Sequence, residues 1–341
     1  MKAAVLHNPG HIELTETPLP KPGPDEVILR VEAALTCGTD LKAFRRGHPK
    51  MEFPTPFGHE FSGIVHQAGP EVELFKEGDP VMGVHTAPCG SCRPCLSGAM
   101  NLCQTLFEDF MLGTYAEYVR IPSRIVQQHL FPRPVHLGAE KAAFLEPLAC
   151  VVHGMATVTL RPTDTVLVIG AGPIGLLFTS LLATRNVEQI LVAGHRPERL
   201  QIAQQLGATQ LIDPQKQDPV ETVRSRTDGR GADLVIECTG LPEVWEQALE
   251  QVAPAGSILL FGGCPGNTTV RFDTSKLHYE EISLRGCFHY NPEDVLEARS
   301  LLVNNHIDVA PLLTGRYPLS DLEHVFELMN SGSGLKYWIS P

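Results

Sequence analysis

Four cysteines, Cys89, Cys92, Cys95 and Cys103, stand at the spacing C-x2-C-x2-C-x7-C. Thiolates so placed suit a tetrahedral cation. The short steps let one tight loop present three sulfurs, and the later cysteine closes the set. Gly90, Pro94 and Gly98 supply the turn chemistry of such a loop. Structural zinc is the expectation, and a disulfide cluster or an iron–sulfur centre would draw on the same residue type.

A second set is dispersed. Cys37, His59 and Glu146, with Glu60 beside His59, offer sulfur, nitrogen and oxygen donors. Three such ligands and an open position describe a catalytic zinc, which polarises an alcohol and lowers its pKa. Thr39 carries a hydroxyl that can relay the released proton. Their separation along the chain does not by itself bring these residues together.

The third signal is Gly170-Ala-Gly-Pro-Ile-Gly175, a G-x-G-x-x-G between a strand pattern and a helix pattern. Gly170, Gly172 and Gly175 allow a tight turn, close backbone approach to a pyrophosphate, and close helix packing. Pro173 and Ile174 open the helix, whose N-terminus attracts phosphate. The next strand ends at Gly194, where an NAD site usually carries a carboxylate. Instead His195, Arg196 and Arg199 follow. Cations in that place suit a 2′-phosphate, so the cofactor expected is NADP(H) in preference to NAD(H).

The elements that must position these residues follow two patterns. Short strand-like runs and turns fill the first part, with a change near residue 140 and a helix expected over 139–156. From 165 onward, strands at 166–169, 189–193, 234–237 and 257–261 alternate with helices such as 173–185 and 197–206, arguing a parallel sheet covered on both faces. Helices at 292–304 and 321–329 and a final strand are expected to return to the first domain. The fold class is α/β, with domains 1–155 (cysteine lobe 86–105) and 156–288, and a return segment 289–341. The run 257–261 reads equally as a buried internal strand and as a strand pairing across subunits.

The 341 residues carry a formal net charge of −12, which argues against a nucleic-acid partner. No apolar run is long enough to span a bilayer, so no membrane partner is expected. The N-terminus does not resemble a signal peptide, and with free thiols the compartment expected is the cytoplasm. Cys150, Cys238, Cys264 and Cys287 read as buried structural residues.

Taken together, Cys37-Gly-Thr-Asp, Gly58-His-Glu-Phe-Ser-Gly, the four-cysteine lobe, Glu146-Pro-Leu-Ala, the glycine motif and Glu237-Cys-Thr-Gly240 resemble the zinc-dependent medium-chain dehydrogenase/reductase family, above all its sorbitol (polyol) and threonine dehydrogenase branches. The resemblance runs over nearly the whole chain. It implies a GroES-like β-barrel domain with catalytic zinc at Cys37, His59 and Glu146 or Glu60, and structural zinc at the four cysteines. It also implies a Rossmann doubly wound domain and a homo-oligomer, a tetramer. The substrate expected is a secondary alcohol or ketone of a polyol, sugar or cyclitol. A threonine-type hydroxy amino acid, or a silent NADPH-binding member, is the alternative. Two residues depart from the polyol pattern. Lys42 stands where those members carry His, and His289, where they tend to carry Arg, is expected at the cofactor or the substrate. His48 reads as a solvated loop residue.

Overall fold

The computed structural model describes residues 1–47 and 52–341, so His48 lies outside the described residues. The chain divides into two compact units. One comprises residues 1–149, 290–305 and 309–341, and the other 150–289 and 306–308.

The first unit is built on strands β1 (Lys2–Asn8), β2 (His11–Glu16), β3 (Val27–Leu35), β4 (Thr55–Pro56), β5 (Glu60–Ala68), β6 (Pro80–Gly83), β7 (Tyr118–Ile121) and β8 (Leu130–Pro132). β3 is the centre. Seven of its nine residues are buried, because it pairs with β5 and β7 and, near its end, with the chain's last strand. Apolar residues at every position but Arg30 and Glu32 suit a strand covered on both faces over most of its length. Phe57, Tyr115 and Phe326 fill the interior beside it, with ring centroids 5.5–6.2 Å apart. Each such ring contributes on the order of 1.5–3 kcal/mol by burial.

The helix expected over 139–156 is broken into Ala139–Ala142 and Leu145–Ala156. Pro147 is the reason. A continuous helix would need its N–H to reach the carbonyl of Ala143, and proline has none. In the first turn of a new helix that donor is not required.

The second unit carries β9 (Thr165–Ile169), β10 (Gln189–Ala193), β11 (Gln210–Ile212), β12 (Ala232–Glu237), β13 (Val252–Leu260) and β14 (Ser283–Gly286). All pairs are parallel, in the order β11-β10-β9-β12-β13-β14. This is the doubly wound order whose ligand crevice opens between the first and fourth strands, at their C-terminal ends. The helix Pro173–Thr184 is apolar all round and buried continuously from Gly175 to Leu182. Residues 257–260 belong to β13, an internal strand flanked by β12 and β14, so the cross-subunit alternative for that run is corrected. The edge on that side is β14. Two further strands, β15 (Leu313–Pro318) and β16 (Lys336–Ser340), lie in the first unit, β16 against the end of β3.

Candidate metal centres and cofactor cavity

The four cysteines converge. Their sulfurs lie within 4.8 Å of one another, with Cys92–Cys95 at 3.4 Å, Cys92–Cys103 at 3.9 Å and Cys89–Cys95 at 4.0 Å. A zinc bound at about 2.3 Å by four thiolates holds its sulfurs about 3.8 Å apart. All nine cysteines are free, and these separations are far beyond a disulfide bond. A multinuclear iron cluster spreads its cysteines around several metal atoms, so this set fits one ion. The Ser91 backbone and hydroxyl, then the Cys92 N–H, pull the Cys89 thiol down to about 5. Burial and the neighbouring sulfurs push Cys95 up to about 12. Local backbone makes the lobe, through the short helix Arg93–Leu96 and the turn at Met100–Leu102.

The dispersed set is assembled by the sheet. β3 ends at Leu35, which pairs with Glu60 on β5 and Trp338 on β16. Cys37 therefore leaves β3 beside His59, Glu60 and Lys336. It caps the helix Gly38–Arg46, its sulfur accepting from Thr39 N–H at 3.4 Å. Donor atoms of Cys37, His59 and Glu60 lie within 4.8 Å of one another. His59 Nδ1 is 2.9 Å from Asp40 Oδ1, which leaves Nε2 as the metal-facing nitrogen. Tyr115 donates to the other Asp40 oxygen at 2.8 Å. Burial opposes charge on His59, but Asp40 and then Cys37 outweigh it and raise the imidazole's pKa. The donors are soft, intermediate and hard in turn, as a catalytic zinc takes them.

Sequence reasoning assigned no role to Lys336. It is 2% exposed, and its ammonium donates to both Glu60 oxygens, to Oε1 at 2.6 Å, and to the Thr36 carbonyl at 2.9 Å. Burial pushes the Glu60 carboxyl up to about 7, with Lys336 opposing. The readable signal was a lysine between Leu335 and Tyr337 in an apolar strand. Asp40 and His85 were also missed. The His85 ring is 4.9 Å from His59, and its Nδ1 is 3.6 Å from Glu146 Oε1. Glu146 is thus buried beside the set, and its charge is felt at Glu60. Thr39 and Lys42 are exposed on the helix that Cys37 caps.

In the second unit, a cavity of ≈ 350 Å³ opens where β9 and β12 end. It is lined by Gly170, Gly172, Gly194, His195, Arg196 and Arg199 together with Cys238, Thr239 and Leu241. The three motif glycines differ in purpose. Gly170 holds φ +108°, a conformation that favours glycine. A Cβ on Gly172 would meet nothing within 4 Å, so its absence leaves a cradle open to a ligand. A Cβ on Gly175 would lie 1.9 Å from Gly170 O, so this glycine serves helix packing. Pro173 and Ile174 open the helix behind the turn. Gly194 also serves backbone packing. Its Cβ would collide with Ala171 Cβ at 2.7 Å, so glycine there lets the strand end reach the turn. The carboxylate nearest in sequence after β11, Asp213, is bound to Lys216 at 3.0 Å, and that bond holds it below its usual range. Among the described residues, the cavity lining does not include His289, which sits at φ +62° beside Phe288. Cys150, Cys238, Cys264 and Cys287 are half-buried rather than buried, and Cys238 faces the cavity.

Comparison with known proteins agrees with this chemistry. A family profile described as alcohol dehydrogenase GroES-like domain matches residues 23–132, and one described as zinc-binding dehydrogenase matches 173–304. The chain is 32% identical to the L-threonine 3-dehydrogenase of Bacillus subtilis strain 168, over 96% of this chain and 94% of that protein. It is 31% identical to the sorbitol dehydrogenase of the same organism, over 96% and 93%. A Sinorhizobium meliloti 1021 protein described as a zinc-binding dehydrogenase, solved with NADP bound, superposes with a TM-score of 0.91. Its identity is 29%, with 100% of this chain and 99% of that one covered.

Proposed function

The chain is an enzyme of the zinc-dependent medium-chain dehydrogenase family, and from that premise we propose that it transfers hydride between NADP(H) and a secondary alcohol or ketone of a polyol, sugar or cyclitol, with two zinc ions per chain. The observation that carries this reading is the Cys37, His59 and Glu60 donor set, braced by Asp40 and Lys336. When bound, zinc supplies Lewis acidity at a substrate hydroxyl and the nicotinamide supplies the hydride acceptor.

The chain's own residues do the rest. Asp40 fixes the His59 tautomer, so that one ring nitrogen faces the metal. Lys336 compensates the buried Glu60 charge and sets where its oxygens point. The Thr39 hydroxyl passes the substrate proton outward, and Glu146 stands beside the set as the alternative carboxylate ligand. Gly172 leaves room for the pyrophosphate. Arg196, Arg199 and His195 take the 2′-phosphate, and His289 is a further cofactor-binding residue. Cys89, Cys92, Cys95 and Cys103 hold the second, structural ion. We assign residues 1–155 and 289–341 to the catalytic domain, and 156–288 to the cofactor domain.

A hydroxy amino acid is the second reading of the substrate, supported by similarity to L-threonine 3-dehydrogenase. The assembly proposed is a homo-tetramer, for which β14 offers an outer edge with three of its four residues exposed. No helix among the described residues is long and apolar enough to cross a membrane, and the compartment proposed is the cytoplasm.

Fluorescence titration of zinc-replete protein with NADPH and NADH in parallel tests the cofactor reading without a substrate. Tighter NADPH binding that is lost on Arg196→Ala supports it. Equal or tighter NADH binding refutes the phosphate pocket, and failure to bind either refutes the dehydrogenase reading.

A further inference from the structure

Glu237 is a fully buried carboxylate at the end of β12. It is outside the metal sets, and among the described residues it is not part of the cavity lining. Its Oε1 accepts from Thr239 N–H at 2.6 Å, from the Thr239 hydroxyl, and from Gly240 N–H at 3.2 Å, which also reaches Oε2. The Thr239 hydroxyl oxygen in turn accepts from Leu241 N–H at 3.2 Å. One carboxylate thus sets the turn 238–241, three of whose residues line the cavity.

The same residue anchors the neighbouring loop. Its carbonyl accepts from Phe261 N–H at 3.0 Å and Gly262 N–H at 2.9 Å. The two loops touch backbone to backbone. A Cβ on Gly262 would sit 2.3 Å from Gly240 N and 2.8 Å from Glu237 Oε2, and one on Gly240 would sit 2.5 Å from Gly263 O. Trp245 Nε1 donates to Gly262 O at 3.0 Å, pinning the loop from outside. The turn also reaches the glycine motif, where a Cβ on Gly170 would meet Thr239 Cγ2 at 3.0 Å.

A buried carboxylate is costly, and it is retained here where several donors converge on it. We propose that Glu237 is a positioning residue. Its carboxylate locks the 238–241 turn to the 261–263 loop as one wall of the cofactor cavity, so dinucleotide affinity depends on a group that never touches the dinucleotide. The inference rests on the NADP(H) reading above.

What the latch requires is an acceptor oxygen at Oε1, which glutamine also supplies and leucine does not. The test is the Kd for NADPH of wild type, Glu237→Gln, Glu237→Leu and Gly262→Ala, read by tryptophan quenching in the full chain with circular dichroism and zinc content alongside. Glu237→Gln is expected within about threefold of wild type. Glu237→Leu, which leaves two or three donors unmet, is expected to bind on the order of tenfold or more weakly. Gly262→Ala keeps the carboxylate but drives the loops apart, and is expected to bind comparably weakly with a shifted Trp245 emission. A folded Glu237→Leu or Gly262→Ala that binds NADPH like wild type overturns the proposal, even if its melting temperature falls. So does a Glu237→Gln as weak as Glu237→Leu. Should Glu237→Leu not fold, Gly262→Ala decides. Wild type that binds no NADPH refutes the cofactor reading itself, a result distinct from variants that all bind alike.

Discussion

The two thiol-bearing donor sets are built in opposite ways. The lobe draws four like ligands from residues 89–103, and its sulfurs are held by local backbone N–H groups and by one another. The dispersed set draws unlike ligands from the ends of β3 and β5. It is held by groups distant in sequence, with Tyr115 reaching Asp40 and Lys336 reaching Glu60. A closed shell of identical ligands can be specified by a short loop, and it leaves no place for substrate. A site that must stay open needs buried charges whose compensation comes from the scaffold. On the proposed function, the lobe serves stability and the dispersed set serves chemistry.

Substitution of one cysteine in each set is the harshest way to break that comparison. Cys37→Ser should lower kcat by about a thousandfold or more, with little change in melting temperature. Cys103→Ser should expose 89–103 to protease while kcat falls by less than about tenfold. Steady-state kinetics and limited proteolysis on the same samples would show it, and a lobe variant as inactive as Cys37→Ser would erase the distinction.

Next in size is Lys336→Met. It leaves the Glu60 charge buried without a partner, at a cost of about 3–5 kcal/mol in urea unfolding, and weakens the metal at this set on the order of 10–100-fold. The lobe's metal should be unaffected. Arg196→Ala, in the second unit, should cost about 1.5–3 kcal/mol of NADPH affinity, leaving NADH affinity and both metals unchanged.

The smallest effect concerns pH. Burial holds the His129 imidazole below its usual range, with Thr86 O and Glu293 opposing. His129 Nδ1 binds Thr86 O at 2.6 Å, on the segment that leads into the lobe. The unfolded chain takes a proton at about pH 6.5, where folded His129 resists it. The unfolded state then binds more protons, so stability falls as pH drops below that value. His129→Gln keeps a donor that does not titrate, and should flatten the thermal-stability profile between pH 7 and 5.

Legibility followed the same division. The lobe, the glycine motif and the parallel sheet were readable because each is a local pattern, whether spacing, turn chemistry or alternation of elements. Cys37, His59, Glu60 and Glu146 were candidates by donor type, but only resemblance joined them, since no periodicity says that β3 ends where β5 begins. Lys336 escaped because its partner lies on the other side of a strand register, 276 residues away. Gly194 was read for what it lacked, and its packing on Ala171 shows only in three dimensions. Pro147, whose effect on the 139–156 helix was local and physical, could have been read directly.

The proposed function requires two different zinc sites in one chain, one for structure and one for chemistry. Zinc analysis of the purified protein beside a Cys37→Ser/His59→Gln variant and a Cys92→Ser/Cys103→Ser variant tests it most directly. Two equivalents per wild-type chain and one in each variant are expected, with activity retained only where the dispersed set is intact. A single equivalent in wild type, or two in the Cys37→Ser/His59→Gln variant, would contradict it.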